Sequence, residues 1–217
     1  MHPSEPTRVK ICGITRLEDA EAAVGAGAHA IGLNFWPHSP RYASVPDAAE
    51  IAGALAGRVV RVGLFVDPRA DEVRRVLDAV ELDVLQFHGR EPAAFCAAFG
   101  RPYMKAHRIA APVDADALQR DYPSACCHLL DAYVPDRPGG TGQRFDWRFW
   151  PVGSRLKLVL AGGLTPDNVG AAIRATRPYA VDVSGGVEAA GRRGIKAAGL
   201  IQRFVDAVRA ADEDHRR

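Results

Sequence analysis

The sequence predicts a single (β/α)8 barrel, the TIM-barrel class, and three observations point to it. Eight short apolar runs alternate with alanine-rich segments of helical period along the 217 residues. Strands separated by helices form βαβ units, whose parallel sheet is buried on both faces. The composition has no break, and barrels of this kind begin near about 200 residues. One barrel domain over residues 8–210 follows, with 1–7 and 211–217 as flexible termini. A doubly wound sheet of six strands is the structural alternative, but it leaves two strands and their helices unplaced.

In chain order, the first strand occupies 9–12 and runs into a helix over 16–24, for which Thr15 and Glu18 have capping-box spacing. A strand at 30–35 precedes an alanine-rich helix at 47–55, and a strand at 60–65 precedes a helix at 69–80. The strand at 84–87 leads to a helix at 92–99, and that at 103–106 to a helix at 114–120. A sixth strand at 128–131 is followed by only a short helical stretch at 146–149. The seventh, 157–161, meets Thr165-Pro166-Asp167, a cap followed by proline at the first helical position, which starts a helix to 176. The eighth, 180–183, is followed by a helix over 194–210.

Basic and acidic side chains nearly balance, 28 against 26, and a net charge of +2 argues against nucleic-acid or membrane surfaces as partners. No apolar run approaches the roughly 20 residues of a membrane span. Residues 1–7 carry no hydrophobic stretch of signal-peptide type. The cysteines Cys12, Cys96, Cys126 and Cys127 form no C-x-x-C pair, and their low density suits a reducing compartment. A cytoplasmic protein, monomeric rather than dimeric, is expected.

In such barrels chemistry sits at the C-terminal ends of the strands. Those ends are Cys12, Asn34, Asp67, Gln86 and His88, Lys105 and His107, Asp131, Gly162-Gly163, and Ser184-Gly185-Gly186. The glycine pairs follow strands seven and eight, where many barrels bind phosphate. Backbone free of side chains lets N–H groups approach an anion, and Ser184 adds a hydroxyl. Glycines at these places can also serve only to turn strand into helix. Cys12 precedes Gly13 and a helix start, whose dipole favours a thiolate. Asp131 follows Leu129-Leu130, and a carboxylate there is rarely packing filler. Strands one and six stand three steps apart round the ring, so an acid and a base can face each other across a sugar phosphate. The Cys126-Cys127-His128 cluster lacks metal spacing, because neighbours on a strand point to opposite faces, and no metal site is predicted.

The stretch Val9-Lys-Ile-Cys-Gly-Ile-Thr15 resembles the phosphoribosylanthranilate isomerases of tryptophan biosynthesis. The resemblance continues in order through Ser39-Pro-Arg-Tyr42, Val62-Gly-Leu-Phe-Val66 and Leu85-Gln-Phe-His-Gly89. It runs on through Leu130-Asp-Ala-Tyr-Val134, Gly139-Gly-Thr-Gly142, Leu160-Ala-Gly-Gly-Leu164 and Val181-Asp-Val-Ser-Gly-Gly-Val-Glu188, and covers most of 8–210. It implies an Amadori rearrangement of N-(5-phosphoribosyl)anthranilate to an aminodeoxyribulose phosphate, with a phosphorylated small molecule as partner and no metal or organic cofactor. By the same resemblance Cys12 is the general base, Asp131 the general acid, and Arg41 the residue near the anthranilate carboxylate. Gly162, Gly163, Ser184, Gly185 and Gly186 match the phosphate loops, and Gln86, His88 and Asp182 polar positions lining the site. Two positions depart from the family: Gly185 stands where serine is usual, and Ala197 where an aspartate commonly follows the lysine.

The chemistry suits these groups. Opening the ribose ring needs an acid protonated near neutrality, which asks Asp131 for surroundings that favour its neutral form. The iminium so formed acidifies the adjacent C2–H, which a Cys12 thiolate can remove. Two separable anchors are expected, phosphate at loops seven and eight and carboxylate at Arg41, and the glycine- and proline-rich loop at 135–142 after the acid is expected to close over substrate as barrel lids do. Other phosphate-binding barrels are the alternatives: an indoleglycerol-phosphate synthase, a histidine-pathway isomerase, or a non-catalytic phosphosugar binder.

Overall fold

The computed structural model describes residues 6–132 and 146–216. Eight parallel strands close into a barrel in sequence order: β1 (Arg8–Cys12), β2 (Ala30–Asn34), β3 (Val60–Phe65), β4 (Val84–Phe87), β5 (Tyr103–Ile109), β6 (Cys127–Ala132), β7 (Leu158–Leu160) and β8 (Ala180–Val183). The ring closes where β8 pairs with β1, in the register Lys10–Asp182 and Ile11–Val183. Helices α1 (Leu17–Ala26), α2 (Val45–Ala54), α3 (Ala70–Ala79), α4 (Ala93–Cys96), α5 (Ala115–Asp121), α6 (Val169–Thr176) and α7 (Ala198–Arg216) follow strands in the predicted order. The stretch at 146–149 holds a 3₁₀ turn, Trp147–Phe149.

Alternation along each strand sorts the core into two layers. Val9 and Ile11, Ile31 and Leu33, and Val181 and Val183 join the large apolar shell between barrel and helices. Met104, Ala106, Cys127, Leu129, Val159 and Ala161 fill the barrel interior. Lys10 and Cys12 alternate with Val9 and Ile11, so they share that interior. Lys105, also one residue out of step with Met104 and Ala106, lies outside it. Its ammonium is buried under α4, 3.0 Å from Glu91 Oε2 and 2.7 Å from the Gly89 carbonyl.

Four local expectations are corrected by tertiary contacts. The Thr15 capping box does not form: Arg16 occupies the N-cap of α1 without a side-chain bond to the helix backbone, and Thr15 Oγ1 donates instead to the Gly194 carbonyl at 2.7 Å. Helix α6 begins two residues after Asp167, because Asn168 Oδ1 accepts from the Thr165 N–H and Asn168 Nδ2 donates to the Gly163 carbonyl, both at 2.8 Å. Helix α4 is a single turn continued as 3₁₀ over Ala97–Phe99. Residues 211–216, expected to fray, are helical: the Thr7 N–H and hydroxyl both donate to the Asp212 carboxylate at 2.7 Å, joining the two ends.

Candidate active site

A cavity opens at the C-terminal ends of the strands, and every residue singled out for the site lines it: Cys12, Arg41, Gln86, His88, Asp131, Gly162, Gly163, Asp182, Ser184, Gly185 and Gly186. Lys105 and His107, the end residues of strand five, and Asp67, beyond strand three, do not. His107 turns outward to His128, with Nε2 3.0 Å from His128 Nδ1. The loop at 135–142 lies outside the described residues.

The glycine turns are packed against each other. Gly162 and Gly163 have φ of +90° and +63°, in the left-handed region that favours glycine. A Cβ on Gly186 would stand 1.9 Å from the Leu164 carbonyl oxygen, so loops seven and eight meet backbone to backbone. Beneath them, Lys196 Nζ donates to the Ser184 carbonyl at 3.1 Å and sits 3.2 Å from Glu188 Oε1. Burial pushes the Lys196 ammonium below its ordinary value, against the attraction of Glu188.

Arg41 belongs to the same cluster. Its Nε donates to Glu188 Oε1 at 2.6 Å and its Nη2 to Glu188 Oε2 at 3.0 Å, a bidentate fork. Its stem crosses Gly13, where a Cβ would come within 2.6 Å of Arg41 Cδ. A Cβ on Gly185 would lie 3.2 Å from Arg41 Nη2. The guanidinium therefore borders the loop-eight turn.

The acid and base candidates differ in their surroundings. Asp131, 6 % exposed, has its Oδ2 3.3 Å from His88 Nε2, and Gln86 Nε2 lies 3.1 Å from His88 Nδ1. An amide nitrogen can only donate, so His88 Nδ1 accepts in this pair, and His88 Nε2 is buried beside Asp131 without a hydrogen-bond partner among the described residues. Gln86 Oε1 is buried without a hydrogen-bond partner among the described residues.

Cys12 is set mainly by burial and by charged neighbours. Helix α1 starts at Leu17, and the charges acting on the thiol come from Lys10, Asp182 and Lys196. Burial pushes the Cys12 thiol up, and the charge of Lys10 opposes that push. Lys10, which motif reading passed over, donates to Asp182 Oδ1 at 2.8 Å inside the barrel. Glu188 was missed because Arg41, its main partner, lies 147 residues away, and Lys196 because it reaches the loop only through Glu188 and Ser184. A period-2 reading of β1 carries the signal for Lys10, since it shares a face with Cys12.

The described geometry has parallels in known proteins. The family model for N-(5'phosphoribosyl)anthranilate (PRA) isomerase matches residues 9–207. An N-(5'-phosphoribosyl)anthranilate isomerase of Pseudomonas fluorescens is 55% identical over 206 residues, 95% of this chain and 97% of that one. One from Thiobacillus denitrificans is 52% identical, covering 94% and 98%. The crystal structure of the Thermus thermophilus enzyme superposes with a TM-score of 0.84 at 36% identity, over 94% of this chain and 99% of that one. A phosphoribosyl anthranilate isomerase structure in complex with reduced 1-(o-carboxyphenylamino)-1-deoxyribulose 5-phosphate has a TM-score of 0.79 at 38% identity, with the same coverage. With its sequence matched almost end to end and its barrel superposed, the chain belongs to the N-(5'-phosphoribosyl)anthranilate isomerase family.

Proposed function

We propose that this barrel isomerises N-(5'-phosphoribosyl)anthranilate to 1-(2-carboxyphenylamino)-1-deoxyribulose 5-phosphate in tryptophan biosynthesis, with Asp131 as general acid and Cys12 as general base. The observation that carries the reading is the placement of a buried thiol and a buried carboxyl, from strands three steps apart, in one cavity with both glycine turns. Asp131 protonates the ribose ring oxygen, the C1–O bond breaks, and the nitrogen lone pair forms the iminium. The Cys12 thiolate then takes the C2 proton, and the electron pair of that bond neutralises the iminium to give an enolamine. Tautomerisation of the enolamine, with protonation at C1, completes the ketone. The N–H groups of the loop-seven and loop-eight turns and the Ser184 hydroxyl hold the phosphate. Arg41, oriented by Glu188, presents its remaining N–H groups to the anthranilate carboxylate. Gln86 Oε1 and His88 offer polar contacts to the sugar hydroxyls.

We place the enzyme in the cytoplasm as a monomer. Among the described residues the exposed large apolar side chains are Tyr42, Val60 and Val152, which sit on separate segments and form no contiguous sequence patch. No described helix is long and apolar enough to cross a membrane. The test is to follow the fluorescence of N-(5'-phosphoribosyl)anthranilate with purified protein and to identify the product by chromatography. Enzyme-dependent loss of substrate with appearance of the ketose supports the reading, and decay at the spontaneous rate refutes it.

A further inference from the structure

A buried ion pair at the floor of the cavity has no part in the mechanism so far. Lys10 precedes Cys12 by two residues on β1, so both side chains project into the barrel. It is 3 % exposed, and a buried lysine needs a partner. Asp182, on the adjoining strand β8, accepts from its ammonium at 2.8 Å. The same ammonium borders the thiol. Gly32 on β2 leaves open a point where a Cβ would lie 2.8 Å from Cys12 Sγ and 3.1 Å from Lys10 Nζ. Three strands thus bring a thiol, a cation and a carboxylate together where water is scarce.

A thiolate buried in this way needs a positive charge near it. The charged groups acting on Cys12 are Lys10 from β1, Asp182 from β8 and Lys196 from the segment before α7. Lys196 is engaged with Glu188 and the Ser184 carbonyl, and Glu188 also holds Arg41. Lys10 shares the face of Cys12 and has three donors, of which Asp182 takes one. We propose that Lys10 is the counter-ion of the Cys12 thiolate, a positioning residue that sets how readily the thiol ionises, and that Asp182 restrains it by sharing the ammonium.

The proposal rests on Cys12 as the base and makes two predictions of opposite sign. Lys10→Gln removes the cation and leaves a carboxylate facing the thiol, so Cys12 ionises at higher pH. Asp182→Asn keeps the cation and removes its competitor, so Cys12 ionises at lower pH. The readout is the pH dependence of iodoacetamide alkylation at Cys12, resolved from the other three cysteines by peptide mass spectrometry. The midpoint is expected to rise by about one pH unit or more in Lys10→Gln, the scale of a neighbouring charge, and to fall in Asp182→Asn. Circular dichroism confirms folding, and if Lys10→Gln does not fold, the direction in Asp182→Asn decides alone. A shift of the same sign in both variants, or an unmoved midpoint in either folded variant, overturns the proposal. Wild-type turnover in Cys12→Ser removes Cys12 from the reaction but leaves this titration readable, so the two failures are distinct.

Discussion

Replacing Glu188 with glutamine takes one negative charge from a place where two buried cations converge. Arg41 donates twice to its carboxylate, at 2.6 and 3.0 Å, Lys196 Nζ stands 3.2 Å away, and the Gly194 N–H donates at 3.0 Å. The side chains of Arg41, Glu188 and Lys196 are 11%, 8% and 0% exposed, so solvent does little to screen the change. Removing one partner of such a contact costs about 3–5 kcal/mol, because the remaining charges stay buried. A domain of this size loses about 2–4 °C per kcal/mol, so the unfolding midpoint should fall by roughly 6–20 °C. Thermal unfolding followed by circular dichroism at neutral pH measures it. The pH dependence adds a sign. Burial alone would raise the Glu188 carboxyl, but the Arg41 hydrogen bond, the Lys196 charge and the Gly194 N–H together hold it below its ordinary value. Its stabilisation is therefore complete above the unfolded value of about 4.3 and is lost as pH falls through the lower folded one. A midpoint within about 2 °C of wild type, less than 1 kcal/mol by the same scale, would refute the idea that Glu188 neutralises this cluster.

Gly186→Ala should abolish inhibition by inorganic phosphate and cost about 1–3 kcal/mol of stability, since the new Cβ meets the Leu164 carbonyl at 1.9 Å. Gly185→Ser brings its Cβ to 3.2 Å from Arg41 Nη2 and 3.9 Å from Glu188 Oε2, and by adding a hydroxyl should tighten phosphate inhibition by roughly 2- to 10-fold, the worth of one hydrogen bond; weaker inhibition counts against the assignment of that turn. Arg41→Lys should raise KM for the full substrate and also weaken phosphate inhibition, because the guanidinium borders loop eight; phosphate inhibition equal to wild type would show two separate anchors. Burial, with the charges of His128 and Lys105, pushes His107 down to about 3. The unfolded chain takes up that proton near about 6.5, so stability should fall as pH drops below that value, and the slope between 6.5 and 3 should be shallower in His107→Gln; equal slopes in urea titrations would exclude His107 as the source.

The barrel was legible because its strands are apolar on both faces and punctuated by glycine, proline and polar caps, a pattern that depends on neighbours in sequence. The cavity was legible because strand ends share one rim, so Cys12, Asp131 and the glycine turns could be placed without coordinates. What escaped is what neighbours in sequence do not determine. Thr15 has a good capping pattern, yet its hydroxyl is taken by Gly194, 179 residues away. Lys10 and Asp182 are separated by 172 residues and meet only because β8 closes on β1. The end of α7 depends on Thr7 at the other end of the chain. Lys105 and His107 follow from strand phase: a polar residue near a strand end faces the cavity only if it is in step with the interior positions, and these two are not.

The proposed reaction depends most on two side chains, and their removal tests it most directly. With N-(5'-phosphoribosyl)anthranilate as substrate, Cys12→Ser and Asp131→Asn should each lower kcat by at least about 10²-fold, the scale of a lost general base or acid. Inhibition by inorganic phosphate, which depends on loops seven and eight, should stay close to wild type in both. Turnover at the wild-type rate in either folded variant would contradict the assignment and remove that residue from the mechanism.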